Sequence, residues 1–137
     1  MLKNKKAFTL IELLITMAVA GVLAAFAIPL YGGIQEQTRQ KEADVDLMII
    51  RTGEKVYALN DVNGNYWVGG ALQPIDTVNT ALNIDIATPV YYGLPSFTVN
   101  NSAVPKTFTV TFIRNSAGGG NGSSTRSIDK DGNITYT

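Results

Sequence analysis

The first part of the chain carries a long apolar run that follows three lysines. From Leu13 to Gln35 there are 23 consecutive positions without a charged side chain. A helix of about 20 apolar residues is long enough to cross the hydrocarbon core of a bilayer. The pattern therefore predicts an apolar, membrane-spanning helix over residues 8–34, with a single carboxylate, Glu12, near its start.

Beyond Tyr31 the pattern becomes amphipathic, and apolar side chains recur at spacings of three, four and seven residues. Such spacings place side chains on one face of a helix. The positions are Val45, Met48, Ile49, Val56 and Leu59. We expect the helix to continue to Leu59 and to pack this face on a C-terminal domain. A kink is expected at Pro29, because proline lacks a backbone donor and clashes with the preceding turn.

Strict alternation of apolar and polar residues predicts strands near the C-terminus. In "TFTVTFI" the apolar face consists of Phe108, Val110 and Phe112, and "FTVN" at residues 97–100 is the predicted partner strand. The segment "RSIDKDGNITYT" is typical of a closing hairpin. The side chains of this hairpin expected to reach the core are Ile128, Ile134 and Tyr136.

Together these elements predict an α+β fold. A long N-terminal helix spans a membrane with its first half and carries an antiparallel sheet of three or four strands on its second half. The turn-rich segment "NDVNGNYWVGG" ends the helix, and residues 71–96 are expected to form a connection with one short helix or strand. Tyr66 and Trp67 are predicted to pack in the core rather than to stack on a ligand.

Composition excludes several classes of function. The 137 residues include 11 basic and 11 acidic side chains, no histidine and no cysteine. Thiol nucleophiles, disulfides, imidazole catalysis and the usual zinc sites are therefore excluded. No basic patch indicates nucleic-acid binding, and no spacing of carboxylates, lysines or serines indicates an enzyme. The glycine-rich "SAGGGNGSST" lacks the lysine of a phosphate-binding loop.

Two other interpretations fit the N-terminal residues. A basic start, an apolar stretch and the small residues Ala25 and Ala27 are typical of a secretory signal that is cut after Ala27. Glu12 opposes this interpretation, because a carboxylate inside the apolar stretch makes membrane insertion harder. Alternatively, Thr9 and Glu12 in "TLIE" form a capping box, which satisfies the first amides of a helix and leaves Glu12 no further role.

The stretch "KKAFTLIELLITMAVAGVLAAFAIPLY" resembles the N-terminus of type IV prepilins and type II secretion pseudopilins. Their short basic leader is a class III signal peptide. In that family an inner-membrane peptidase cuts before the phenylalanine of "FTLIEL" and methylates the new amine. The resemblance implies a leader of residues 1–7, a cut between Ala7 and Phe8, and methylation of Phe8. Ala7 departs from the glycine that the family usually has before the cut.

The resemblance also implies an assembly role for Glu12, Gly21 and Pro29. Cleavage would create an α-amine on Phe8, a cation with an ordinary pKa of about 8, in apolar surroundings. The carboxylate of Glu12 on a neighbouring subunit would neutralise that cation and fix the stagger between subunits. Gly21 and Pro29 stand where the family places residues that loosen the helix.

The sequence therefore predicts a structural subunit that polymerises into a type IV pilus or a related filament. By resemblance, its partners are further copies of itself, the prepilin peptidase and methylase, an inner-membrane assembly platform and, before assembly, the lipid bilayer. The N-terminus is expected in the cytoplasm, and the filament in the periplasm or outside the cell, with residues 35–137 as its globular head. Two alternatives stay open: the major pseudopilin of a type II secretion system, and a secreted soluble binding domain.

No cofactor is expected, although one segment has some features of a calcium loop. In "DKDGN", Asp129 and Asp131 offer oxygen ligands beside a glycine, but the distal glutamate of the full loop is absent. A hairpin turn accounts for the same residues. The major pseudopilins, which the chain resembles, bind calcium in their C-terminal loops.

Overall fold

The computed structural model describes residues 8–115 and 124–137. Two helices and four strands follow one another along the chain. They are α1 (Leu10–Asn60), α2 (Ile75–Leu82), β1 (Ser96–Asn100), β2 (Thr107–Ile113), β3 (Thr125–Asp129) and β4 (Ile134–Tyr136). The chain divides into two compact units, Met1–Thr38 and Arg39–Thr137. The second unit contains the end of α1 and all the elements that follow it. The leader, residues 1–7, and the first eight residues of "SAGGGNGSST", residues 116–123, lie outside the described residues.

Helix α1 is assigned without interruption from Leu10 to Asn60, so it contains Pro29. The helical assignment therefore continues through the position where a kink is expected, and the kink itself stays a prediction. Proline removes one backbone hydrogen bond, but the turns on either side keep theirs, and the helix continues through Gly32 and Gly33. The predicted end of the helix is confirmed, since Asp61 and the turn residues after it follow α1 directly.

The buried face of α1 differs from the predicted one. Most of the predicted positions are exposed, since Val45, Met48, Val56 and Leu59 keep between 46% and 84% of their surface accessible, and only Ile49 packs partly on the core. The face that enters the core is instead formed by Ala43, Leu47, Ile50, Gly53 and Glu54.

Close packing explains which face was selected. A Cβ atom at Gly53 would lie 2.9 Å from side-chain atoms of both Leu82 and Ile84. Only glycine admits the neighbouring chain this close to α1, since a distance of this kind is too short for two carbon atoms. The buried face thus depends on small residues, whereas the sequence pattern counted only large apolar ones.

The sheet is a four-stranded antiparallel meander in the order β1-β2-β3-β4. In the register of its first two strands, Phe97 faces Val110 and Val99 faces Phe108. Phe108, Val110 and Phe112 are at most 1% exposed, which confirms the predicted strand and its apolar face. This sheet packs on the second half of α1, as the predicted α+β fold requires.

The closing hairpin is confirmed as β3 and β4, but one of its side chains does not enter the core. Ile128 is buried, and Ile134 packs partly on the core. Tyr136 is 59% exposed, and its prediction as a core residue is wrong. It lies on the edge strand opposite Arg126, whose guanidinium carbon is 4.3 Å from the centre of its ring. The tyrosine therefore covers a cation rather than the core.

An ion pair connects the sheet to α1. Arg126 on β3 is 8% exposed and donates a hydrogen bond from Nη1 to the carboxylate of Asp44 on α1. A buried guanidinium needs such a partner, because an unpaired charge in the interior is strongly destabilising. The pair and the stacking on Tyr136 together fix the position of β3 on the helix.

Both aromatic residues of the loop after α1 pack on the core, which confirms their prediction. The ring of Tyr66 meets Phe108 edge to face with centroids 4.7 Å apart, and the ring of Trp67 meets Phe97 in the same way at 5.0 Å. The backbone of Tyr66 exchanges two hydrogen bonds of 2.9 Å with the side-chain amide of Asn101. The connection that follows contains α2, in agreement with the expected short helix.

Glu54 is a fully buried carboxyl group on α1. Its Oε2 accepts the backbone N–H of Trp67 at 2.9 Å, whereas Oε1 has no partner among the described residues. Burial raises the pKa of Glu54 to about 7, because the interior disfavours its charged form. The interior therefore favours the protonated form of this group.

We expect the free energy of unfolding to fall as the pH rises from about 5 to about 8, and the share of Glu54 in the slope should approach one proton per chain. The folded chain holds the Glu54 proton more tightly than the unfolded chain does, so this contribution is complete below the ordinary pKa of 4.5 and is lost as the pH rises through about 7. Glu54→Gln, which stays neutral, should flatten the slope in urea unfolding monitored by circular dichroism.

Asp46 serves as the comparison for that measurement. Burial and the nearby charge of Glu42 raise the pKa of Asp46 to about 6, so its contribution has the same sign but is lost at lower pH. Asp46→Asn should flatten only the lower part of the curve. If Glu54→Gln leaves the slope between about pH 6 and 8 unchanged, Glu54 is not the linked group.

The strand register generates a second prediction. Val110→Asp places a charge among the buried side chains of β2 and should unfold the head, since an unpaired buried carboxylate costs several kcal/mol. Thr98→Asp on the exposed face of β1 makes the same chemical addition and should change stability by about 0.5 kcal/mol or less. Thermal unfolding of both variants tests this, and equal stability would show that the buried face is misassigned.

Candidate processing and assembly site

The start of α1 holds the residues singled out for processing and assembly. The backbone N–H of Thr9 donates to Oε2 of Glu12 at 2.9 Å, and the backbone N–H of Glu12 donates to Oγ1 of Thr9 at 3.3 Å. The Thr9 hydroxyl also donates to Oε2 at 2.8 Å. These reciprocal bonds are a capping box, so the structural role of Glu12 considered in the sequence is present in the single chain.

Capping engages only part of the Glu12 side chain. Both Thr9 donors bind Oε2, and Oε1 has no hydrogen-bond partner within residues 8–115 and 124–137. Glu12 is exposed, as are its neighbours Phe8 and Leu10, which are 82% and 83% accessible. The carboxylate is therefore held at the start of the helix, where the helix dipole favours a negative charge, and it keeps an oxygen free for a group from another molecule.

The apolar half of α1 is exposed on all of its sides. Every large hydrophobic residue from Leu10 to Ile34 is more than half accessible. Within the part of the chain that the structure describes, α1 is the only helix long and apolar enough to cross a membrane, and none of its most apolar window is buried. An apolar surface of this size needs lipid or protein to cover it.

Gly21 and Pro29 both lie within this apolar half of α1. A Cβ added at Gly21 would meet nothing within 4 Å, so no neighbour in the chain requires a glycine there. Glycine in a helix interior costs about 1 kcal/mol relative to alanine. The residue therefore weakens the helix without any gain in packing inside the single chain. Ala7, the residue before the implied cut, lies outside the described residues.

The second half of α1 presents an exposed apolar stripe that the sequence pattern had assigned to the core. It consists of Val45, Met48, Val56 and Leu59. Their successive spacings of three, eight and three residues keep them on one side of the helix. We call these four residues the exposed stripe. The sequence pattern correctly placed these residues on one face of the helix, but it was wrong that this face packs on the head.

The hairpin "DKDGN" is built as a turn. Oδ1 of Asp129 accepts the backbone N–H groups of Asp131, Gly132 and Asn133 at 2.8 to 2.9 Å, and Oδ2 accepts the side-chain amide of Asn133 at 2.8 Å. These bonds, that of the Asn133 side chain above all, lower the pKa of Asp129. Asp131 pairs with Lys130 at 2.6 Å.

The oxygens of Asp129 are engaged by the turn itself. Both oxygens of Asp129 already accept hydrogen bonds from the turn, and calcium requires six to eight oxygen ligands. The described residues contain no group of three or more acidic, histidine or cysteine side chains that would hold a metal. The oxygens of Asp129 therefore act as hydrogen-bond acceptors that shape the hairpin.

A comparison with known families identifies the N-terminal segment. The sequence profile described as the prokaryotic N-terminal methylation motif matches residues 2–28. The segment is therefore similar to a prokaryotic methylation motif. Phe8, Glu12 and Gly21 fall within this methylation motif, and Pro29 lies just after it.

Curated relatives extend the similarity beyond the methylation motif. The chain is 42% identical over 54 residues to the type IV major pilin protein PilA of Myxococcus xanthus, which is 39% of this chain and 24% of that protein. It is 41% identical over 51 residues to a fimbrial protein of Pseudomonas aeruginosa, or 37% of this chain and 33% of that one. The chain thus matches between a quarter and a third of the length of these relatives, and no solved structure matches it.

Proposed function

We propose that the chain is the structural subunit of a type IV pilus or a related filament. The observation that carries this proposal is a methylation motif at the start of a helix whose apolar half has no cover within the described chain. One relative is named a type IV major pilin and another a fimbrial protein. These names favour a pilus over a type II secretion pseudopilus. The role is structural, with no enzymatic activity.

The proposed life of the subunit has two stages. Before assembly, residues 8–34 span the inner membrane, with the leader of residues 1–7 in the cytoplasm, as the excess of lysine there favours. The prepilin peptidase removes the leader after Ala7 and methylates Phe8. An inner-membrane assembly platform then transfers the subunit into a filament of identical copies in the periplasm or outside the cell, with residues 35–137 as the head.

Burial of apolar surface drives the proposed polymerisation. Each apolar helix that leaves the lipid must be covered by other copies, because exposure to water costs about 25 cal/mol per Å². The exposed stripe extends this uncovered surface along the second half of α1, beyond the part that a bilayer encloses. Together the two surfaces support packing between copies along much of the helix.

Glu12 has a second role in this proposal, in addition to the cap. Thr9 occupies Oε2, so Oε1 is available to the methylated amine of Phe8 on a neighbouring copy. The pair would compensate both charges in an apolar filament and would fix the stagger between subunits. Gly21 and Pro29 would permit the helix to adjust during assembly, since glycine and proline lower its stability.

Processing is the first test of the proposal. Mass spectrometry of protein from assembled filaments should show residues 8–137 plus one methyl group. A secreted domain whose signal is cut after Ala27 would instead begin at Ile28. Intact Lys3 to Lys6 in filaments would contradict cleavage at Ala7, and Ile28 at the N-terminus would overturn the filament subunit altogether.

The variant Glu12→Gln distinguishes the proposed charge pair with Phe8 from the capping role of Glu12. Glutamine serves the capping box nearly as well as glutamate, but it cannot neutralise a neighbouring amine. The variant, as sole subunit, should still be inserted and cut after Ala7, and it should accumulate in the membrane with few filaments. Electron microscopy counts the filaments, and immunoblotting of membranes measures the pool.

Glu42→Gln is the matched control, because it removes an exposed carboxylate from the same helix outside the apolar half. Its filaments should be as numerous as those of the parent chain. Abundant filaments of normal length from Glu12→Gln would leave the capping box as the complete role of this residue.

A further inference from the structure

Trp67 is held in place as a rigid, partly exposed platform. Its backbone N–H is bonded to buried Glu54, and its ring meets Phe97 edge to face. Gly69 lies so close that an added Cβ would be 2.6 Å from Cζ3 of the indole. These contacts fix the orientation of the ring from several sides, but they leave part of it accessible.

The accessible part of Trp67 borders an open depression of about 460 Å³ on the outer side of α2. The α2 residues that line it are Asp76, Thr77, Thr80 and Ala81. The opposite side of α2, formed by Ile75, Val78 and Leu82, is buried. The helix is thus anchored by one side, and it presents short polar side chains beside the tryptophan on the other.

The polar groups of this depression are free to bind a ligand. Neither the Thr77 hydroxyl nor the Asp76 carboxylate has a hydrogen-bond partner among the residues that the structure describes. Thr80 donates its hydroxyl proton to the backbone oxygen of Asp76 at 2.8 Å, so its oxygen remains an acceptor. The depression therefore combines one aromatic surface with a donor and several acceptors.

A second depression, of about 290 Å³, lies next to the first and shares Ala81 with it. Tyr57 contributes an aromatic ring there, and Asn60, Asp61 and Asn83 contribute polar groups. The backbone N–H groups of Asn65 and Asn63 bond to Asp61 and lower its pKa, so this carboxylate stays charged. Two aromatic residues thus flank one small side chain, each with polar neighbours.

The geometry points to a binding site for a neutral disaccharide, with one pyranose ring on Trp67 and the next on Tyr57. Pyranose rings have an apolar C–H face that packs on aromatic rings and hydroxyl groups that bond to carboxylates, amides and hydroxyls. Open, partly apolar depressions with a few polar groups suit such ligands. The depressions are lined by the carboxyl groups of Asp61 and Asp76 and by no basic side chain among the described residues, which disfavours acidic sugars.

Intrinsic fluorescence tests this site directly, because Trp67 is the only tryptophan in the chain. The full chain, in a detergent without a sugar headgroup, is titrated with lactose, maltose, cellobiose and diacetylchitobiose. At least one of them should change the emission in a saturable manner. Sialyllactose and a hyaluronan disaccharide, which are acidic, should give no saturable change over the same range.

Thr77→Val removes a proposed ligand group and keeps the size of the side chain and the fluorophore. The loss of one hydrogen bond should weaken binding of the disaccharide by about threefold to tenfold. Thr135→Val makes the same change on the exposed side of β4 and should leave binding unaltered. Failure of all four neutral disaccharides, equal binding of an acidic one, or equal effects of the two variants would overturn the proposal.

Discussion

The apolar half of α1 has no cover within the described chain. The rest of this protein depends on that constraint. Leu10 to Ile34 supply large apolar side chains in every direction around the helix axis. A helix that packs on one neighbour needs only one apolar stripe, so apolar side chains on every side indicate surroundings of another kind. The segment therefore requires lipid or protein around it.

Three carboxylates show that the same chemical group has a different role in each environment of this protein. Glu12 caps the start of α1 with one oxygen and leaves the other exposed. Glu54, on the same helix but inside the head, is buried with a raised pKa and one bond to Trp67. Asp129 accepts four hydrogen bonds from a hairpin and has a lowered pKa. The surroundings, rather than the residue type, decide whether the group caps a helix, is buried with a raised pKa or shapes a turn.

The head couples its elements through groups that α1 itself supplies. Asp44 pairs with Arg126 on β3, and Glu54 accepts from the loop that carries Trp67. Gly53 admits the chain after α2 to close contact with the helix. A change in any of these three residues would alter the position of a different element. The second half of α1 is thus the scaffold on which the sheet, the loop and α2 are arranged.

Local patterns in the sequence determined the features that depend on neighbouring residues in the chain. Three patterns could be recognised in the sequence: the uncharged run Leu13 to Gln35, the "FTLIEL" motif with Glu12, and the alternation around Val110. The observed helix, the matched motif and the observed strand agree with them in that order. These patterns are set by composition over a few helical turns or by the two-residue repeat of a strand. Neither cause depends on residues that are distant in the sequence.

Only the tertiary structure decided which face of α1 is buried and which carboxylates lie in the interior. A helix with apolar residues on more than one side has no preferred face until a partner packs on it, and here Ala43 and Gly53 permit the closest approach. The burial of Glu54, the exposure of Tyr136 and the meeting of Trp67 with α2 follow from contacts between residues far apart in sequence. Local periodicity carries no information on such contacts, because they depend on how whole elements pack.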